Sequence, residues 1–245
     1  LERGDGRAEL PAAEAEWLTT AEWMPTVQLR AIMAKFERTR KRLAKEFGQR
    51  YRFKSAKLGY SHGLLVEVRA NAKFFIENGA DLFASEPIRS VCVERVTLKD
   101  LPKLAAVPGI QRMSWISISP DEDVVEAALE LFPQVSIGLL EPDEWEVASA
   151  RALPGGNRVR GVSLSRPTKQ TLAHYAKLPM GKTLARLDIG NFICSLTSRD
   201  YREADDANEI LAFGWKLAWV STGFVSPSNL AKLRAKVPDV AMRYE

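Results

Sequence analysis

Residues 88–98 read IRSVCVERVTL, and the spacing of their apolar side chains decides the fold class. Two residues separate Ile88 from Val91, and one residue separates Val91 from Val93. This spacing of apolar side chains predicts a short strand that is followed by a turn. The same spacing begins again at four later positions, which are Ile110, Phe132, Val159 and Leu184. Units of about 25 residues headed by a strand are typical of leucine-rich-repeat-like solenoids. The sequence therefore predicts an α/β solenoid of about six or seven irregular repeats.

Each predicted strand is followed by an amphipathic segment and then by proline or glycine, which end helices. The predicted helices span residues 71–83, 101–107, 121–132, 141–152, 168–178, 199–213 and 227–237, and a last strand spans residues 240–244. Trp115 stands at the third apolar position of the second unit and is predicted to lie in the core. We therefore expect an irregular leucine-rich-repeat-like solenoid over residues 63–245, with parallel strands on the concave side and helices on the convex side.

An N-terminal helical cap is predicted over residues 1–62. Its central helix, residues 26–48, repeats apolar side chains at three- and four-residue steps and carries a basic opposite face. That basic patch comprises Arg38, Arg40, Lys41, Arg42 and Lys45. Such a helix covers the stacking surface of the first repeat and leaves its charges in water, or alternatively docks nucleic acid or an acidic partner. Tyr51 and Phe53 either anchor the end of the helix to the core or stack on bases.

Three segments resemble the repeat-companion domain that precedes leucine-rich repeats in bacterial proteins. Residues 1–10, LERGDGRAEL, are similar to the closing half of that domain, and Gly6 replaces its usual proline. Residues 60–68, YSHGLLVEV, are similar to its G-F-V-E-x-V segment, and residues 81–91, DLFASEPIRSV, are similar to its LF…P-[IV]-R-x-[VL] segment. The resemblance implies a bacterial repeat protein and assigns no chemistry to any residue.

Five arginines are predicted on the concave face, because they stand between the apolar positions of the strands. They are Arg69, Arg89, Arg112, Arg160 and Arg186. Serines at positions 90, 114 and 163 and the carboxylate of Asp188 accompany them. Arginines arranged in this way suit carboxylates or phosphates, and the alternative is that they are ordinary solvated strand residues.

No motif in the sequence predicts catalysis. Residues 176–183, AKLPMGKT, fit a relaxed P-loop pattern, but a predicted helix precedes them and a strand follows, which reverses the order that a phosphate loop needs. The two histidines, His62 and His174, have no cysteine or second histidine near them in sequence. Neither a zinc site nor a Cys–His nucleophile is therefore predicted, and no cofactor is expected.

Composition limits the classes of protein to which the chain can belong. The chain is 46% hydrophobic and has no apolar run of about 18 residues, so it can bury a core and no membrane span is expected. Cys92 and Cys194 lie about a hundred positions apart, each at or near a predicted strand, which is typical of reduced, buried thiols and of the cytoplasm. Nine acids and no Lys or Arg lie between Arg112 and Arg151. This acidic patch, with the basic cap, makes self-association possible.

These features predict a non-enzymatic protein–protein interaction module that binds a partner on its concave face. The alternative is a protein that binds nucleic acid or an acidic partner through the basic N-terminal helix.

Overall fold

The computed structural model describes residues 26–53, 56–61, 64–164, 169–189, 211–222 and 227–244. Most of the predicted helix at residues 199–213, Cys194 and the companion-domain motif at residues 1–10 lie outside these ranges. His62 also lies outside them.

Nine strands and seven α-helices follow one another along the described residues, mostly in alternation. The strands are β1 Lys57–Ser61, β2 Leu64–Asn71, β3 Ser90–Glu94, β4 Trp115–Ile118, β5 Ser136–Leu140, β6 Val159–Leu164, β7 Arg186–Ile189, β8 Trp219–Thr222 and β9 Asp239–Tyr244. The helices are α1 Thr26–Tyr51, α2 Ala72–Ser85, α3 Leu101–Ala105, α4 Glu122–Leu131, α5 Glu144–Ala152, α6 Lys169–Lys177 and α7 Pro227–Lys236. Among these described helices, none combines the length and the apolar character that crossing a membrane requires.

The strands form one sheet in chain order, and the sheet closes on itself. Strands β2 to β9 are parallel neighbours, whereas β1 runs antiparallel to both β2 and β9. The closing pairs include Leu58 with Tyr244 and Tyr60 with Met242. The α/β class and the repeated parallel strand–helix unit are thus confirmed. The open concave face is replaced by the interior of a closed barrel, and assignment to the leucine-rich repeats stays a prediction.

Strand β1 is not among the predicted elements. Its residues fall inside the segment assigned to the N-terminal cap, so the predicted boundary at residue 62 separates the two strands of one antiparallel pair. Because β1 supplies the pairing that closes the sheet, the difference matters for the whole fold.

An apolar residue followed by proline comes directly after, or two residues after, four of the helices. At each site the amide three residues farther on donates a hydrogen bond of 2.8–3.2 Å to the carbonyl of that apolar residue. The donors and acceptors are Ile110 to Val107, Val135 to Phe132, Gly156 to Leu153 and Gly181 to Leu178. Proline suits the second position of such a turn, because its φ is fixed and it has no N–H to leave unpaired. The turn ends each helix and directs the chain into the next strand.

Two of these turns pack tightly against the helix before them. A Cβ atom at Gly156 would lie 2.4 Å from the carbonyl oxygen of Ala150, and one at Gly181 would lie 2.6 Å from that of Tyr175. Only glycine permits so close an approach of one backbone to another. The backbone that leads into β6 and β7 is therefore held against the ends of α5 and α6.

The apolar residues of the five predicted units are all buried, with 0–8% of their surface exposed. Trp115 nevertheless faces the opposite way from the prediction. The register pairs Ser90 with Trp115 and Val91 with Ile116, so Ile116 occupies the helix-facing position. A slip of one residue moves a side chain to the other face of a strand. Trp115 therefore points into the barrel.

Helix α1 is anchored through aromatic side chains at its C-terminal end. The ring of Phe74 on α2 lies 5.9 Å from Phe47, 6.3 Å from Tyr51 and 4.5 Å from Phe53, measured between centroids. The hydroxyl groups of Tyr51 and Ser85 are also 3.0 Å apart. The anchoring role predicted for Tyr51 and Phe53 is confirmed, and these packed rings are not free to stack on bases.

Candidate functional site

Arg186 occupies the interior of the barrel and has no exposed surface. Its Nη2 atom donates to Glu67 Oε2 and to Asp188 Oδ2, both at 2.8 Å, and its Nη1 atom donates to Ser90 Oγ. Glu67 and Asp188 are themselves fully buried. Two carboxylates and one guanidinium thus meet in a region from which water is largely excluded, where each contact is stronger than it would be at the surface.

Two indole rings flank the same guanidinium. The carbon at its centre lies 5.8 Å from the ring centroid of Trp115 and 5.0 Å from that of Trp219, distances at which a cation is attracted to an aromatic face. These rings belong to β4 and β8, while Glu67 and Ser90 belong to β2 and β3. Arg186 therefore joins strands on several sides of the barrel, which assigns it a structural role.

Arg69 also points inward. It is 9% exposed, and its Nε atom lies 2.5 Å from Glu94 Oε1 at the end of β3. The prediction placed Arg69 and Arg186 on an accessible concave face. Closure of the sheet puts both inside, and the burial of Arg186 removes it from any surface that a partner touches.

The other three predicted arginines lie at the barrel edge formed by the N-terminal ends of the strands. Arg89 precedes β3, Arg112 precedes β4 and Arg160 is the second residue of β6, and all three are exposed. Arg89 is paired with Asp239 of β9, with Nη1 and Oδ2 3.0 Å apart. We call this edge the N-terminal rim. These three arginines thus lie on an exposed rim instead of the predicted concave face, and their role in binding a partner stays a prediction.

A depression of about 330 Å³ opens on the same rim. Four basic residues line it, namely Arg151, Arg160, Lys182 and Lys216. The remaining lining residues are Asn157, Val159, Thr183 and Leu184. We call this the basic depression. None of its lining residues is acidic, so the arrangement favours an anionic group.

A neighbouring arginine has a different role. Arg158 donates through Nη1 to the carbonyl oxygens of Phe132, at 2.6 Å, and Val135, at 3.3 Å, and through Nη2 to that of Leu129. These carbonyls lie at and just beyond the C-terminal end of α4, where unpaired carbonyl oxygens attract cations. Arg158 is therefore engaged in capping and does not belong to the basic depression.

The basic patch of α1, at residues 38–45, is far in sequence from the residues of the N-terminal rim. Arg38, Lys41 and Lys45 are exposed, and their spacing puts them on one face of the helix. Arg42 is half-buried, and the side chain of Arg40 lies outside the described part of the chain.

The predicted acidic patch lies on and beside α4 and α5. Eight of its nine carboxylates are exposed, and Glu146 is half-buried; the eight are Asp121, Glu122, Asp123, Glu126, Glu130, Glu141, Asp143 and Glu144. The carboxylate of Glu144 also contacts Nε2 of His174 on α6. Self-association through this patch stays a prediction.

Tyr175 is buried beneath the acidic patch and donates a hydrogen bond to the carbonyl oxygen of Pro142. Burial, reinforced by nearby carboxylates such as Glu141 and Asp143, raises the pKa of Tyr175 from 10.0 to about 12. The folded state therefore favours the neutral phenol more strongly than the unfolded state does.

This raised pKa predicts a loss of stability in alkali. The contribution of Tyr175 is fully present below pH 10.0 and is lost as the pH rises towards about 12, because the unfolded chain ionises first. Between about pH 8 and about pH 11, the free energy of unfolding of the wild type should fall by about 1 kcal/mol more than that of Tyr175→Phe. Urea denaturation at the two pH values measures the difference, and parallel losses in the two proteins would contradict it.

Sequence reasoning named Arg160 but missed Arg151 and Lys216 as parts of one site. Lys182 and Thr183 were noticed only through their P-loop-like motif. The structure confirms that α6 precedes this motif and β7 follows it, so no strand–loop–helix cradle forms. Among the described residues, no three His, Cys, Asp or Glu side chains are grouped to hold a metal ion.

No protein-family model and no curated protein sequence matches the chain.

Proposed function

We propose that this chain is a non-enzymatic interaction module that holds an acidic segment of a protein partner on its N-terminal rim. The observation that carries the proposal is the concentration of cations there. The exposed Arg112 and Arg160 on the rim are joined by the exposed Lys182 and Lys216 and the half-buried Arg151 of the basic depression. Guanidinium groups bind carboxylates through paired hydrogen bonds. A partner segment rich in Asp or Glu therefore provides the groups that these arginines bind.

The rim also suits binding because the strands hold it rigidly. The carbonyl oxygen of Arg160 accepts from the amide of Ala185 at 2.8 Å, and that of Ala185 accepts from Ala218 at 2.7 Å. The segments that enter β6, β7 and β8 are therefore fixed side by side. A surface organised before binding loses less conformational entropy when the partner arrives.

Charge reversal on the rim tests this function. We expect Arg112→Glu combined with Arg160→Glu to weaken binding of a fluorescein-labelled, glutamate-rich peptide at least about tenfold, because two attractive contacts become repulsive. Fluorescence anisotropy measures the affinity. Both residues are exposed, so thermal unfolding of the variant should match that of the wild type.

The α1 patch supplies the matched control. Arg38→Gln with Lys41→Gln and Lys45→Gln removes three exposed charges away from the rim and should leave peptide binding unchanged. Equal affinities for the wild type and the rim variant would refute the proposed function. A loss confined to the α1 variant would move the peptide site to that helix.

Nucleic-acid binding by α1 is the second candidate, favoured by the exposed basic stripe of Arg38, Lys41 and Lys45. The same variants decide it when a single-stranded oligonucleotide replaces the peptide. Three lost phosphate contacts should reduce the slope of log affinity against log salt by about two. An unchanged slope in the α1 variant would remove this candidate.

A further inference from the structure

We propose that the basic depression is a binding site for a phosphomonoester, which is a ligand class beyond the carboxylates of the proposed partner. Three successive strand–helix units contribute to it. Arg151 comes from the last turn of α5, Arg160 from β6, Lys182 from the turn before β7 and Lys216 from the segment before β8. Residues so far apart in sequence converge because the hydrogen bonds of the rim set the three strand entries beside one another.

The charge of the site favours an anion of more than one unit. Four cationic side chains surround about 330 Å³, and within the described residues none of the four takes part in an ion pair. Like charges that line one depression repel one another, and a dianion offsets that repulsion more fully than a monoanion. These four side chains do not serve as helix caps as a group. The carbonyl oxygens at the C-terminal end of α4 accept their side-chain hydrogen bonds from Arg158, which is not one of the four.

The size and the polar lining suit a small phosphomonoester. The buried side chains of Val159 and Leu184 form the apolar part of the lining, while Asn157 and Thr183 are exposed and add an amide and a hydroxyl group. A volume near 300 Å³ lies at the lower end of the range for small-molecule sites. Guanidinium groups bind phosphate oxygens in pairs, and lysines add point charges.

The surroundings of the depression are rigid. The turns at Gly156 and Gly181 press against the helix backbones behind them, and the residues that follow, Asn157 and Lys182, are lining residues. The phosphate would be held by side chains from several units and not by a loop of backbone amides. This distinguishes the site from the P-loop that the motif at residues 176–183 superficially matches.

Isothermal titration calorimetry with phenyl phosphate tests the proposal. We expect the wild type to bind it with a Kd below about 1 mM at low ionic strength, and to bind phenyl sulfonate, a monoanion, at least about tenfold more weakly. Lys182→Gln with Lys216→Gln should weaken phenyl phosphate binding at least about tenfold. The control, Lys99→Gln with Lys103→Gln, removes two exposed lysines elsewhere and should bind like the wild type.

Absence of binding by the wild type, equal affinity for the sulfonate, or wild-type affinity in Lys182→Gln with Lys216→Gln would each overturn the proposal. A phosphomonoester can belong to a phosphorylated protein or to a small metabolite, and binding of a phosphoserine peptide distinguishes these two sources. Tighter binding of that peptide than of phenyl phosphate assigns the phosphate to a modified protein, and weaker binding assigns it to a small metabolite. Arg112 lies outside the basic depression, so Arg112→Glu alone should weaken binding of the glutamate-rich peptide and leave phenyl phosphate binding at the wild-type value, which distinguishes failure of the proposed function from failure of the phosphate site.

Discussion

Replacing Arg186 with methionine is expected to lower the free energy of unfolding by about 3–5 kcal/mol. The substitution keeps much of the side-chain volume but removes the cation that Glu67 and Asp188 both contact at 2.8 Å. The carboxylates of Glu67 and Asp188 then remain in the closed interior without the guanidinium group that each of them contacts. Urea denaturation followed by tryptophan fluorescence measures the loss, and Trp115 and Trp219 beside the site report on it directly.

Two comparisons isolate the electrostatic cause. Arg89→Met removes an arginine whose ion pair lies at the exposed rim, and it should cost less than about 1 kcal/mol. Adding Glu67→Gln and Asp188→Asn to Arg186→Met should recover part of the loss, because the buried negative charge is then gone. If Arg186→Met were no more costly than Arg89→Met, the interior network would have no such stabilising role.

Replacing Phe74 with alanine is the second large effect, and we expect it to cost about 3–5 kcal/mol. Phe74 is 1% exposed and contacts the rings of Phe47, Tyr51, Phe53 and Phe75. Its removal leaves a cavity where α1 meets α2 and weakens the anchor of α1. Urea denaturation should show the lower stability, and trypsin should cleave near the end of α1 faster than in the wild type.

The exposed Trp145 provides the control for Phe74. It has 65% of its surface in solvent, so Trp145→Ala removes a large aromatic ring with almost no packing and should change stability by less than about 0.5 kcal/mol. Cleavage near α1 at the wild-type rate in Phe74→Ala would show that other contacts, such as the Arg50–Glu86 ion pair, hold the helix alone.

The local parts of the fold could be predicted because local chemistry determines them. Asn71, Asp121 and Asp143 accept hydrogen bonds from the first turns of α2, α4 and α5, and these helices begin within three residues of their predicted starts. The apolar spacing likewise identified side chains that are buried. Trp115 is buried as predicted, but its predicted face was wrong, because two large apolar residues, Trp115 and Ile116, are adjacent there and only pairing with β3 decides which of them faces the helices.

Closure and the site depend on relations that no local pattern contains. The pairing of β1 with β9 joins residues nearly 190 positions apart, and whether a sheet curls far enough to allow it depends on the accumulated twist of all its strands. The sequence correctly placed Arg186 on the face opposite the helices, but only closure turns that face into an interior. The four cations of the basic depression belong to different units, so their convergence follows from strand register.

Closure also constrains how the chain is made. During synthesis β2 to β8 can assemble in order, each strand on its predecessor, but β1 has its second neighbour only when β9, at residues 239–244, has emerged. Contacts between such distant segments are slow to form. Until β1 and β9 pair, the unpaired edges of the sheet promote aggregation. A ribosome-bound chain that stops short of β9 should therefore remain an open sheet with two reactive edges. Closure of the barrel is then a single late event, the meeting of β1 with β9.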